Sequence, residues 1–392
     1  MVQNSETSQL LGELTNLVGR EDPYPRYDRL REIAPLIRAD DGALVVTGYA
    51  DCATVVRDGR LAHMSPDMLA FIGFEDWREH PALKLLFTSI LNLNPPDHTR
   101  LRRLVSSAFT ARRVQALRRA IERMVDELLA GMSGEADFIQ AFAFPLPANV
   151  IGELLGVPPA DRAQFQSLIR DWSQVLEYID REQLVTADAA AATVYDYLAG
   201  LADQRRRKPA DDLISAMVEA ESAGDRLTGE ELLTMAGLLF AAGFETTTNL
   251  LANSVMVLDR HPEAVIGDPA LAVEELLRFD SPVQLVGRLA HEDVELGGTV
   301  VEAGERVIAY TGAGNRDPRR FTDPGRLDLS RADNAPLSFG GGIHYCLGAP
   351  LARLEAQIAI PVLRDRVRVC GEPTRRDSLT LRGYTAMPVR TT

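Results

Sequence analysis

The chain has 392 residues, 46% hydrophobic and 25% charged, with a net charge of −14. That length is enough to bury a large core, and the acidic balance argues against a general nucleic-acid or anionic-membrane role. The opening residues, MVQNSETSQLLGEL, show neither a basic nor an apolar leader, so no signal peptide is expected. The longest uncharged apolar run, 232–244, has thirteen residues, short of the roughly 20 that span a bilayer, and a cytoplasmic protein with no membrane partner is expected. In chain order, 35–47 reads as a hairpin turning at Asp41-Gly42. Helical patterns follow over 99–130, broken near Ser106–Thr110, and at about 136–155, 160–178 and 186–206. Thr228 and Glu231 have capping-box spacing and open a helix that His261-Pro262 ends. Apolar all round in its first half, this helix should cross the middle of the protein. A further helix covers about 268–279, then 295–310 reads as a hairpin region and LTLRGYTAMPVR as two short strands. No stretch reads as a linker. The expectation is one domain over 1–392, mainly α with a smaller β-rich region, residues to about 20 being an N-terminal extension.

The three cysteines, Cys52, Cys346 and Cys370, are far apart and without a CxxC, which argues against a disulfide framework or a cysteine-based zinc site. Cys346 lies in LSFGGGIHYCLGAPLARLE (337–355), between Gly340-Gly341-Gly342 and Gly348. A thiolate needs positive charge, helix-end amides or a metal. The helix opening after Cys346 would point its first amides at the sulfur, and Gly348 leaves that approach clear. The glycines would let the backbone turn tightly beside a flat ligand. Taken alone, the cysteine also suits a buried structural role in a glycine-rich turn.

The spacing Phe339-x-x-Gly342-x-His344-x-Cys346-x-Gly348 resembles the haem-binding signature of the cytochrome P450 family, the haem-thiolate monooxygenases. The resemblance spans roughly residues 20–390, with the motifs in the family's order. It implies a helical prism with a long central helix over a non-covalent haem b. Cys346 would be the axial metal ligand, and Phe339, Gly340, Gly348 and Ala242 would line the cofactor. Ala242-Gly243-Phe244-Glu245-Thr246 places a glycine, an acid and threonines in the long helix, poor helix chemistry that suits a local bend. By resemblance this is the oxygen-binding groove, with Thr246 hydrogen-bonding O2 and Glu245 relaying protons. Glu275-x-x-Arg278 resembles the family's structural pair, tied to the loop that holds Asn315-Arg316-Asp317-Pro318 and Arg331. His98 and Arg102, four apart on one helix face, match residues that bind the haem propionates, as do Arg288 and His344. Ser338, Gly314 and Asn94 depart from the residues common at their positions, where alanine, alanine and an acid are more usual.

The implied reaction is monooxygenation with O2, as hydroxylation or epoxidation. Electrons would come ultimately from NAD(P)H through a ferredoxin reductase and a small acidic ferredoxin, since the chain carries no flavin or nicotinamide motif. Residues 99–123 hold eight arginines and one glutamate. Arg103, Arg112 and Arg113 are the candidates for a ferredoxin-docking face, a solvated helix face being the plainer alternative. The resemblance places an apolar substrate near Phe87, Ile90, Leu238, Ala241, Gln284, Leu285, Val286 and Met387, with Gln284 a specificity donor. The segment 64–91, with Met64, Met68, Phe71, Phe74 and Trp77, suits a mobile lid over a bulky polyketide, macrolide, terpenoid or steroid, its acids and His80 at the surface. Three other readings stand beside this one. A peroxide-driven peroxygenase tends to lack the acid–threonine pair, a haem carrier has no need of it, and a thiol hydrolase using Cys346 and His344 lacks an orienting partner.

Overall fold

The computed structural model describes residues 5–66, 69, 73–173, 175, 180–222 and 227–391. Helices dominate, and the strands gather in small sheets. The hairpin turning at Gly42 forms from Leu36–Arg38 and Leu44–Val46, antiparallel, with Gly42 in the left-handed region (φ 83°). Leu44–Val46 then pairs in parallel with Arg306–Ala309, which pairs antiparallel with Val286–Ala290, and Leu61–Ala62 closes this sheet. A three-stranded sheet carries Pro388–Thr391 between Glu135–Asp137 and Val367–Val369.

The helical region after residue 97 is three helices, Asp97–Ala108, Ala111–Ala116 and Arg118–Gly131. The break falls at Thr110, whose side chain accepts from the Arg113 amide and so caps the second helix. The helix expected from about 136 starts just after that, with the π-helix Ile139–Ala143. Glu135–Asp137 is a strand, and the Asp137 carboxylate turns the chain by accepting from the amides of Ile139 and Met387. Pro145 then opens the helix Pro145–Leu155 at a position where a missing N–H costs nothing. In the C-terminal stretch, Tyr384–Ala386 pairs with Thr374–Arg375, while Leu381 meets Val283 only as an isolated bridge.

The long helix runs unbroken from Gly229 to Arg260, started by a reciprocal capping box between Thr228 and Glu231. From Leu232 to Leu258 every residue is buried except Ala242, Gly243 and Thr246. The helix is not apolar along its second half: Glu245, Asn249 and Asn253, four apart, form a buried polar stripe. The C-terminal segment is keyed to it. Asn253 Nδ2 donates to the carbonyls of Asp280 (3.2 Å) and Arg382 (3.0 Å). Gly383 lies so close to Asn249 that a Cβ there would come 1.9 Å from its Oδ1. Among the described residues no helix is long and apolar enough to cross a membrane.

Candidate active site

The Cys346 loop is fixed from three directions. The Cys346 amide donates to the Phe339 carbonyl (3.0 Å), and the helix Ala349–Arg366 starts immediately beyond Gly348. Burial pushes the Cys346 thiol pKa up. The amides of Gly348 and Ala349 and the guanidiniums of Arg102 and Arg353 oppose that shift by stabilising a thiolate. Arg353 stacks over Phe339 at 4.4 Å, bonds both oxygens of Glu274 and donates to the Tyr345 hydroxyl (2.9 Å).

Two of the three consecutive glycines answer to protein packing. A Cβ on Gly341 would meet Val56 and Arg57 side chains at 2.8–2.9 Å. One on Gly342 (φ 61°) would meet the Arg57 Cα and the Val56 carbonyl at 2.9 Å. The loop therefore presses on the helix Tyr49–Arg57. Gly340 (φ 68°) faces open space. Gly348 is less constrained than its spacing suggests, since a Cβ there would make ordinary contact with Cys346 Sγ at 3.9 Å.

Beside this loop lies a cluster of imidazoles and guanidiniums. The His98 and His344 rings are 4.2 Å apart, and His63 meets His344 edge-on at 4.4 Å. Arg288 is nearly buried; desolvation alone pulls its pKa down to about 10. Burial likewise pulls down Arg102 and His98, takes His344 to about 3 and takes His63 to about 2, neighbouring cations adding to the effect for the histidines. Both ring nitrogens of His98, and Nε2 of His344 and of His63, are sealed from solvent without a hydrogen-bond partner. Among the described residues, no carboxylate contributes to these shifts. Buried donors and cations left this way are costly unless an anionic ligand completes them.

On the long helix, the Thr246 hydroxyl donates to the Ala242 carbonyl (3.2 Å) and Thr247 donates to that of Gly243 (3.0 Å). Glu245 is buried and ion-paired with Arg376. Phe87, Leu93, Ala242, Phe339 and Leu347, all partly exposed, pack on one core that includes Ile90, Leu238 and Ala241.

Glu275 and Arg278 are fully buried and bidentate, both bonds 2.7 Å. Arg278 also donates to the carbonyls of Asn315 (3.0 Å) and Pro324 (2.9 Å). Glu275 accepts from Arg331 (3.1 Å), Asn334 (3.0 Å) and the Asp328 amide (2.9 Å). This satisfies a buried ion pair on every side. Ser338 uses its hydroxyl here, accepting from Ser281 (2.9 Å) and Asn315 (3.0 Å) and donating to the Leu277 carbonyl (2.8 Å).

Three of the residues expected to meet a substrate are engaged by other parts of the protein. Gln284 is buried, accepting from the Tyr27 hydroxyl (3.1 Å) and donating to the Ser281 carbonyl (2.7 Å), so its amide is committed to packing. Leu285 points to the N-terminal cluster of Leu14, Tyr27 and Leu30, as strand alternation requires when Val286 and Arg288 share the other face. Met387 is sealed in the core between the two C-terminal strands, its amide held by Asp137. In the segment expected to be a lid, Phe74 and Trp77 are core residues and Met64 is exposed, while Met68 and Phe71 lie outside the described residues. His80 is not a free surface group: its Nδ1 is 2.6 Å from Asp188 Oδ2. Of the arginines, Arg103 and Arg112 are exposed, whereas half-buried Arg113 bonds the Ala108 carbonyl and sits 3.8 Å from Asp211.

Sequence reasoning missed Arg376 and His63. Neither lies in a motif, and both reach the site across strands distant in sequence. A lone histidine just after a two-residue strand is a signal only once His344 is seen beside it.

Residues 270–370 match the family model described as Cytochrome P450. The chain is 41% identical to cytochrome P450 107B1 of Saccharopolyspora erythraea, covering 97% of this chain and 98% of that protein. It is 38% identical to 6-deoxyerythronolide B hydroxylase of the same species, covering 94% and 96%. The crystal structure of P450BioI in complex with an acyl carrier protein ligated to hexadec-9Z-enoic acid superposes with a TM-score of 0.87 at 35% identity, covering 95% of this chain and 100% of that one. The chain belongs to the cytochrome P450 family. It is thus a haem-thiolate monooxygenase with the P450 fold. The residues present fit a haem: a sulfur flanked by helix amides, an open face at Gly340, unpartnered imidazole nitrogens, and two guanidiniums, Arg102 and Arg288, bonded among the described residues only to the carbonyls of Tyr345 and Gly287 and so able to neutralise two carboxylates.

Proposed function

We propose that this P450 inserts one oxygen atom from O2 into a bulky apolar small molecule of the macrolide or polyketide kind, by hydroxylation or epoxidation. The observation carrying the reading is that the central helix is buried everywhere between Leu232 and Leu258 except at Ala242, Gly243 and Thr246. A threonine hydroxyl beside a buried acid therefore meets the one accessible stretch of that helix. The likeness to a 6-deoxyerythronolide B hydroxylase supports the substrate class.

Bound haem would supply the iron chemistry by which O2, two electrons from the donor and two protons yield one oxygen atom inserted into the substrate, which gives up the other two electrons, and one water. Cys346 would hold the iron, and the Gly348 and Ala349 amides would temper the charge on its sulfur. His98, Arg102, Arg288 and His344 would take the haem carboxylates. Thr246 holds a hydroxyl proton at the accessible stretch of the helix, and Glu245 passes protons to it from the Arg376 side. Phe87, Ile90, Leu238, Ala241 and Val286 exclude water around the substrate. Arg103 and Arg112, with Arg113 at the margin, offer cations to a small acidic ferredoxin supplied from NAD(P)H by its reductase. The protein works in the cytoplasm as one domain over 1–392.

The test is a reduced, carbon monoxide-treated spectrum followed by turnover with a ferredoxin, its reductase and a panel of macrolactones. A strongly red-shifted Soret band with a product gaining one oxygen is expected. An unshifted band, or NAD(P)H-independent product formed only with peroxide, would overturn the proposal.

A further inference from the structure

Asn94 and His63 exchange two hydrogen bonds across 31 residues of chain. The His63 amide donates to Asn94 Oδ1 (3.0 Å), and Asn94 Nδ2 donates to the His63 carbonyl (2.8 Å). Only an amide side chain serves both ends. An aspartate accepts at one and has nothing to give at the other. The pair pins the end of the strand Leu61–Ala62 to the loop before the helix Asp97–Ala108. The His63 ring is thereby placed against His344, which also contacts His98. His63 Nε2 is sealed from solvent with no partner, and its ionisable neighbours are the Arg288 guanidinium and the neutral imidazoles of His344 and His98, with no carboxylate among them. A neutral imidazole keeps one N–H to give, and a ring that only filled space would gain nothing from a polar atom there.

We infer that His63 is a further donor to the haem carboxylates, a positioning residue set in place by Asn94. The inference rests on the haem reading above. His98 and Arg102 come from one helix, Arg288 from a strand and His344 from the cysteine loop; His63 adds the turn after the first sheet's edge strand, so the carboxylate edge is grasped from one more element.

The holoenzyme carrying His63→Ala is compared with wild type in two ways. One is the rate of haem transfer to excess apomyoglobin. The other is the position of the propionate bending bands in the resonance Raman spectrum. About tenfold faster haem loss is expected, as for one hydrogen bond to a charged group, with shifted bands. His63→Gln, which keeps a donor, should fall between, and Asn94→Asp should move both readouts in the direction of His63→Ala. A wild-type rate in His63→Ala overturns the inference. Faster loss with unshifted bands assigns the ring to packing and overturns it too. Arg288→Ala is the control: if it also leaves both readouts unchanged, the carboxylate pocket itself is wrong. If it moves them and His63→Ala does not, only the role of His63 falls. Should His63→Ala not fold, His63→Gln and Asn94→Asp carry the test, and unshifted bands in both overturn it.

Discussion

Arg376 from the C-terminal segment is ion-paired with Glu245, the buried acid beside Thr246 on the central helix. Glu245→Gln keeps the shape and removes the exchangeable carboxylate. Product formation is expected to fall about 100-fold, the lower end of what a positioned acid or base contributes. The carbon monoxide spectrum should not change. Thr246→Ala should retain haem and divert NAD(P)H consumption into peroxide. Comparing cofactor consumed with product formed decides both, and full coupling in Thr246→Ala would remove that hydroxyl from proton delivery.

Glu275→Gln leaves Arg278, Arg331 and the Asp328 amide facing a neutral group in a fully buried site. A loss of about 3–5 kcal/mol is expected, the usual cost of stranding a buried charge. It should appear as a lower yield of haem-loaded protein and a lower urea midpoint. An unchanged midpoint would mean that the Arg278 bonds to backbone carbonyls suffice alone.

Ser338→Ala removes a hydroxyl shared among Ser281, Asn315 and Leu277. About 1–2 kcal/mol of stability should go with it, with little effect on turnover. Thermal unfolding of the holoenzyme measures the first and product rate the second.

Asp280 gives a pH prediction. Burial alone would raise its carboxyl pKa, but Arg382 and Arg375 and hydrogen bonds from Arg382 and Tyr24 outweigh this and hold it below the usual carboxylate value. A depressed folded-state pKa stabilises the fold above the unfolded pKa, about 3.9 for Asp, and that stability is lost as pH falls through the folded value. The stability gap between wild type and Asp280→Asn should therefore be constant near neutrality and shrink only below about pH 4. A gap that shrinks between pH 7 and 5 would contradict the assignment.

Gly342→Ala places a Cβ 2.9 Å from backbone atoms of Val56 and Arg57 at a left-handed φ. Gly340→Ala meets only the φ. The first should cost about 2–4 kcal/mol from strain and overpacking together, the second about 1–2 kcal/mol from strain. Equal losses of haem-loaded protein would show that the helix Tyr49–Arg57 yields.

The elements with local signals were legible in the sequence. Thr228 and Glu231 mark the start of the central helix, and Asp41-Gly42 marks the first hairpin. The signature around Cys346, together with His98, Arg102 and Arg288, pointed to residues that the fold brings near one another. What stayed hidden depends on partners far along the chain. Glu135–Asp137 looks helical until Pro388–Thr391 pairs with it. Gln284 looks like a pocket donor until its Nε2 is seen to donate to the Ser281 carbonyl. Glu245 reads as poor helix chemistry until Arg376 of the C-terminal segment pairs with it, and the polar stripe it forms with Asn249 and Asn253 shows only once that segment packs there. Gly341 and Gly342 suggest a ligand surface, yet the helix Tyr49–Arg57 explains their missing side chains.

The first sheet has a consequence for how the protein is made. Its strand Leu44–Val46 pairs in parallel with Arg306–Ala309, so a strand synthesised early waits for more than half the chain before its second edge is covered. Until then the ribosome-bound chain carries an open β-edge, the kind of surface that pairs with the wrong neighbour. Val286–Ala290, which carries Arg288, reaches Leu44–Val46 only through that late strand. Haem capture is therefore expected to follow, not guide, the closing of this sheet.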